Sequence, residues 1–202
     1  MIMPENIVDQ NLDELFVKLF EKKLRAAELS GFALNLGCAK GGLGAAFSRR
    51  YPNCLVHGVD GDAETLHYQG SLVNAGSDLE TQVRMLHGLL PQAAITPNKY
   101  DVIISKGLLG KMRAPMTLWR GAMGAGAAGA MVMVMDYLKA KSPEESAKLA
   151  ALLDKDAPES LRLEFESGVE PEAVVAQLAE AGCPLCVELM DACLVVAYGR
   201  LT

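Results

Sequence analysis

No run of basic residues longer than Lys22-Lys23 occurs along the chain, and 19 Lys and Arg face 25 Asp and Glu for a formal charge of −6. A phosphate-rich partner would meet a mostly acidic surface, so nucleic acid is a poor partner and a small molecule a better one. Long apolar runs are also missing. The most apolar stretch, Ala122 to Met135, is broken by glycines, whereas a membrane span needs about 20 apolar residues. The opening Met1-Ile2-Met3-Pro4-Glu5 has no basic segment followed by an apolar one, so no secretory signal is read there.

Paired cysteines are lacking too. The five cysteines are scattered and odd in number, a pattern of reduced thiols in the cytoplasm rather than of a disulfide framework. Cys183-Pro184-Leu185-Cys186 has the spacing of a redox or metal pair, but no second pair accompanies it. These cysteines are expected to be small buried side chains, with no metal site. Internal repeats and low-complexity tails are absent.

What is present suits a folded α/β unit. Half of the 202 residues are hydrophobic and 22% are charged, enough apolar material for one core, so residues 1–202 are read as a single domain. The first helix is predicted over Asn11–Leu29, with Asn11 and Glu14 as a capping pair and Ser30-Gly31 as its stop. The segment 1–31 is expected to pack on the core, with a lid over a substrate pocket as the alternative. Strands are then expected at Phe32–Leu36, Cys54–Asp60, Arg84–Gly88, Tyr100–Ser105 and Ala130–Asp136.

Helices are expected at Gly42–Arg50, Ala63–Asn74 and Ala114–Met123 between those strands. Gly121–Gly129 reads as a helix end and turn. Ser142-Pro143-Glu144-Glu145 opens a further helix through a capping box, Leu161–Glu166 reads as strand or extended loop, and Pro171–Ala181 is a helix stopped by Gly182. Leu185–Met190 and Cys193–Tyr198, separated by Asp191-Ala192, form a hairpin. Apolar strands alternating with helices imply a mostly parallel sheet covered on both faces, here with an antiparallel strand at its end.

In such a sheet ligands bind beyond the carboxyl ends of the strands. Gly37 and Gly41 follow the first strand, where glycine lets the backbone approach a ligand and the next helix points N–H groups at it. Asp60, at the end of the second strand, can accept both hydroxyls of a ribose, while Asp62 suits a helix cap. The glycines do not fit the G-x-G-x-x-G spacing of nicotinamide-binding folds, because Ala39 takes its second position.

Asn35-Leu36-Gly37-Cys38-Ala39-Lys40-Gly41 resembles the first motif of class I S-adenosylmethionine methyltransferases, and Val56-His57-Gly58-Val59-Asp60 resembles their second. Tyr100-Asp101-Val102-Ile103-Ile104-Ser105 is similar to the family's fourth strand, and the stretch from Ala181 to Gly199 to its last helix and hairpin. The resemblance runs from about Phe32 onward. It implies a Rossmann-like seven-stranded sheet with helices on both faces, and S-adenosylmethionine held by Asn35, Gly37, Cys38, Ala39, Gly41, Asp60, Gly61, Gly88, Leu89 and Ser105. It implies transfer of a methyl group to a small-molecule acceptor; a homo-oligomer is compatible with it.

Three positions depart from the family pattern. Asn35 stands where an acidic residue is usual, Ala39 where a glycine is usual, and Leu89 near where an Asp often holds the adenine amino group. These departures also suit a relative without activity that binds a nucleoside or a partner subunit. The methyl group of the cofactor is already activated, so a general base is optional; Lys106, Asp136, Tyr137, His67 and His87 are candidates, and no catalytic residue is assigned.

Overall fold

The computed structural model describes residues 4–39, 41–62 and 83–202. Helix α1 (Pro4–Leu24) is followed by strand β1 (Ser30–Leu36), helix α2 (Gly42–Arg50) and strand β2 (Asn53–Asp60). Strands β3 (Val83–His87) and β4 (Tyr100–Lys106) precede α3 (Met116–Ala125) and β5 (Gly126–Tyr137). Helices α4 (Pro143–Leu153), α5 (Glu159–Glu166) and α6 (Pro171–Ala181) lead to β6 (Cys186–Met190) and β7 (Leu194–Arg200).

The strands form one seven-stranded sheet in the order β3-β2-β1-β4-β5-β7-β6. β1 to β5 pair in parallel, β7 runs antiparallel to β5, and β6 runs antiparallel to β7. The strand order reverses between β1 and β4, which places the ligand crevice of an open α/β sheet at the ends of these two strands. The expected architecture is the observed one.

Side chains alternate between two cores. Ala33, Val102, Ile104, Met131, Met133 and Met135 face α1, α2, α4 and α5, while Leu34, Leu36, Ile103, Val132 and Val134 face α3 and α6. The methionines of β5 are therefore one face of a buried strand. From α1, Phe16 and Phe20 are fully buried, each contributing about 1.5–3 kcal/mol by leaving water. The Phe20 ring meets Phe47 of α2 edge-on at 5.2 Å.

Several element boundaries differ from those expected. α1 begins before Asn11 and ends at Leu24 rather than Leu29; Lys22 and Lys23 occupy its last turn, and Arg25 leaves the helix at φ 53. Asn11 and Glu14 are thus interior to the helix rather than its cap, and Ser30 and Gly31 begin β1. Gly126–Gly129 opens β5 instead of forming a turn, Gly126 pairing with Tyr100 before a register shift.

Leu161–Glu166 is helical. Its alternation of Leu161, Leu163 and Phe165 imitates a strand, but Leu161 and Phe165, four residues apart, are buried while Leu163 is 52% exposed, as on one face of a helix. The capping box at Ser142 forms: its side chain accepts from Glu145 N at 3.2 Å, while Glu145 Oε2 accepts from Lys141 N at 2.6 Å. Gly182 stops α6 in the left-handed conformation at φ 65. The helix expected at Ala63–Asn74 lies outside the described residues, as does His67. No helix among the described residues is long and apolar enough to cross a membrane.

Candidate functional site

The turn after β1 is tied down by main-chain hydrogen bonds within itself and to β2. Gly37 N and Cys38 N donate to Val59 O at 2.8 and 3.2 Å, and Gly41 N donates to Cys38 O at 2.8 Å. Gly37 takes φ 68, and a side chain there would put its Cβ 2.7 Å from a methyl of Leu108. Only glycine meets both demands. Ala39 adopts φ 42, a left-handed conformation costing a non-glycine residue about 1–2 kcal/mol.

Asp60 is what holds Ala39 there. Its Oδ2 accepts from Ala39 N at 2.8 Å and its Oδ1 from Asp62 N at 2.9 Å. A carboxylate offers roughly four lone-pair sites, so each oxygen keeps capacity for one further donor. The group is half-buried, oriented by both amides, and sits beside the glycine turn. A carboxylate so held can accept from both hydroxyls of a ribose diol.

The other expected residues take different places. Cys38 is buried, and burial, helped by the nearby Asp60 charge, pushes its thiol up to about 12; only its main chain serves the turn. Asn35 is 1% exposed, on the sheet face toward α2, and neither side-chain polar atom has a hydrogen-bond partner among the described residues. Ser105 is fully buried and its Oγ donates to Leu36 O at 2.8 Å, leaving its main chain for any ligand. After β3, Gly88 N donates to Asp60 O at 2.9 Å, and Leu89, 68% exposed, lies over Gly61. His87 Nε2 lies 3.2 Å from Gly61 O.

At the ends of β4 and β5 stand two further charged groups. Lys106 Nζ is 2.7 Å from Asp13 Oδ1 of α1. Asp136 is buried among Leu109, Trp119, Val134, Val169 and Val174. Its oxygens accept from Tyr137 N at 2.8 Å and Gly110 N at 3.2 Å. Burial raises its pKa to about 6, with the N–H groups of Tyr137, Gly110 and Leu109 holding it back. Asp136 therefore staples the Leu109–Lys111 turn rather than facing a ligand. Tyr137 is also buried, its ring 5.2 Å from that of Phe165.

Sequence reasoning missed Asp13 and Leu108. Asp13 leaves a trace: it precedes Phe16, Val17 and Phe20 by helical spacings and so shares the apolar face of α1. Leu108 has no such signal, since only the folded crevice places it over Gly37. Among the described residues no three His, Cys, Asp or Glu side chains converge as metal ligands. Cys183 is buried and Cys186 exposed.

No protein-family model matches the chain, and no curated protein matches it by sequence. Solved structures do match. A SAM-dependent methyltransferase from Aquifex aeolicus superposes with a TM-score of 0.68 at 18% identity, over 100% of each chain. The phosphoethanolamine N-methyltransferase 2 of Haemonchus contortus, solved with phosphomonomethylethanolamine and S-adenosylhomocysteine, gives 0.66 at 19% identity over 86% of this chain and 38% of its own. The plantazolicin methyltransferase, solved with S-adenosylhomocysteine and a triazolic desmethyl analogue, gives 0.69 at 12% identity over 94% and 83%. The chain thus has the fold of class I S-adenosylmethionine methyltransferases.

Proposed function

We propose that this protein is a methyltransferase that uses S-adenosylmethionine to methylate a small-molecule acceptor. The observation that carries the reading is Asp60, held by Ala39 N and Asp62 N beside the glycine turn with lone pairs left over. Asp60 would hold the ribose, the main chain of Gly37 to Gly41 would approach the methionine part, and Gly61, Gly88 and Leu89 would border the adenine. Asn35 and Cys38 would support the turn from beneath, and Ser105 would contribute main chain only. When bound, the cofactor supplies a methyl group already activated by its sulfonium. The chain's task is then to align the acceptor and exclude water.

The phosphomonomethylethanolamine and triazolic desmethyl analogue bound to the Haemonchus and plantazolicin enzymes agree with a small-molecule acceptor, and free cysteines agree with a cytoplasmic location. Titration calorimetry with S-adenosylmethionine and S-adenosylhomocysteine tests the reading. Micromolar to submillimolar binding is expected; no binding at millimolar concentration would defeat it.

A second reading, a relative without activity that holds a nucleoside or partner subunit, draws support from Leu108 crowding Gly37 and Leu89 lying on Gly61. Copurification of a second subunit with no turnover across a broad acceptor panel would favour it, and robust methylation would remove it.

A further inference from the structure

Helices α3 and α6 cover the sheet face that carries Leu34, Ile103 and Val132. Residues 88–99, which join β3 to β4 past two intervening strands, add no helix to that face, although a parallel crossover usually supplies one. Toward β2 the face is open. Leu55 is 41% exposed, Phe32 and His57 are half-buried, and the strand register sets Phe32 beside Leu55 and His57 beside Arg84 of β3. Partners in parallel strands point to the same side, so these four side chains share the open face. Phe32 stands early in β1 and Tyr100 opens β4, which puts the patch at the entry ends of the strands, away from the crevice.

Rings and cations interlock there. The His57 ring meets Phe32 edge-on at 5.7 Å and Tyr100 at 5.6 Å, and Lys99 Nζ stands 4.3 Å from the centroid of Phe32 and 5.7 Å from that of Tyr100. Neither Lys99 nor Arg84 pairs with a carboxylate among the described residues. Asp101, next to Tyr100, is taken up by the main chain, its Oδ2 accepting from Phe32 N at 2.9 Å. Burial and the charges of Lys99 and Arg84 hold the His57 imidazole below its ordinary range, so it is neutral at pH 7. Its Nδ1 lies 3.0 Å from the Tyr100 hydroxyl, which burial keeps protonated. With that hydroxyl donating to Nδ1, the ring proton sits on Nε2, which has no partner among the described residues.

We infer that this patch binds a phosphate group, free or carried on a small ester. Lys99, Arg84 and His57 Nε2–H offer donors from three side chains, which suits three terminal oxygens better than the two of a carboxylate. The two fixed positive charges match a phosphate monoester, which carries about two negative ones near neutral pH. Lys99 now faces only aromatic rings, a weaker attraction than a charge-assisted bond to an anion. Leu55 gives the body of an ester an apolar place to lie. One such patch holds one phosphate and not a nucleic-acid strand, which would meet the acidic surface around it. The site stands whether or not the chain transfers a methyl group.

Calorimetry on wild type, Lys99→Met, Arg84→Met and the double variant decides this, with inorganic phosphate, methyl phosphate, phenyl phosphate and benzoate as probes against chloride at matched ionic strength. Phenyl phosphate is expected to bind wild type at submillimolar concentration, and K99M and R84M each to weaken it about tenfold. If an ester is the ligand, phenyl phosphate binds about tenfold tighter than methyl or inorganic phosphate, because its ring covers Leu55. Equal affinity for inorganic phosphate assigns the same site to the free ion. NMR titration of the histidine ring protons, with the His57 signal identified by its loss in His57→Gln, supplies a second readout. A bound anion offsets the charges of Lys99 and Arg84, so the His57 pKa rises on saturation. S-adenosylhomocysteine affinity is read in parallel and stays unchanged in K99M and R84M, so failure of this site and failure of the methyl-transfer reading are separate results. The proposal is overturned if no phosphate probe binds at millimolar concentration, if binding survives in the double variant, if benzoate matches phenyl phosphate, or if His57 titrates alike with and without the probe.

Discussion

Asp60 and Asp136 close two strands of the same sheet, β2 and β5, and both accept main-chain N–H groups, yet they do opposite work. Asp60 accepts two such donors while half-buried, and each oxygen keeps room for another. Asp136 is 4% exposed, walled by apolar side chains, and its ionisation is pushed to about 6 by that burial. A carboxylate at the ligand edge is therefore no guide to function by position alone. What separates them is whether solvent, and hence a ligand, reaches the unused lone pairs.

Three measurements sharpen or break this contrast, beginning with the largest effect. If Asp60 holds the ribose as proposed, Asp60→Ala removes two charge-assisted bonds, so S-adenosylhomocysteine affinity measured by calorimetry is expected to fall about 100-fold, roughly 3 kcal/mol. Asp136→Ala is expected to cost about 2 kcal/mol of folding stability by leaving buried N–H groups without an acceptor. Chemical denaturation reads that loss, and the calorimetry of D136A should show nearly unchanged affinity. If D136A loses affinity while D60A retains it, the two roles are reversed.

The smallest effect is in pH. The folded pKa of Asp136, about 6, lies above its ordinary 3.8, so the folded state holds a proton that the unfolded state releases. Its contribution is complete below the ordinary value and is lost as pH rises through about 6. The stability gap between wild type and D136A should accordingly widen by about 1 kcal/mol from roughly pH 7 down to pH 5. A gap that stays flat, or narrows, would mean that Asp136 is not held in an apolar environment.

Much of this frame was legible in the sequence. α2 and α6 match their expected ends because glycine marks their boundaries, Gly41 in front of one and Gly182 behind the other. The turn and Asp60 were legible because steric demand and charge leave local traces. α5 was not, because Leu161, Leu163 and Phe165 alternate as in a strand, and only packing against Tyr137 shows which of them is buried. The role of Asp136 was illegible for the same reason. Besides the neighbouring Tyr137, its donors come from Gly110 and Leu109, whose approach depends on the tertiary path of the chain. Lys106 was visible as a charge at a strand end, but its partner Asp13 lies almost a hundred residues earlier and meets it only across the packed helix.

The place of β7 has a consequence for assembly. This last strand in chain order is bonded on both sides, to β5 along Met131–Tyr137 and to β6. Until Leu194–Arg200 is inserted, β5 is left with an open edge and β6 has no neighbour in the sheet at all. Such long-range pairing is slow to nucleate and leaves sticky intermediates. A nonsense codon between Met190 and Leu194 would thus remove an interior plank rather than trim a border, and the shortened polypeptide should collect in aggregates while its first five strands are intact.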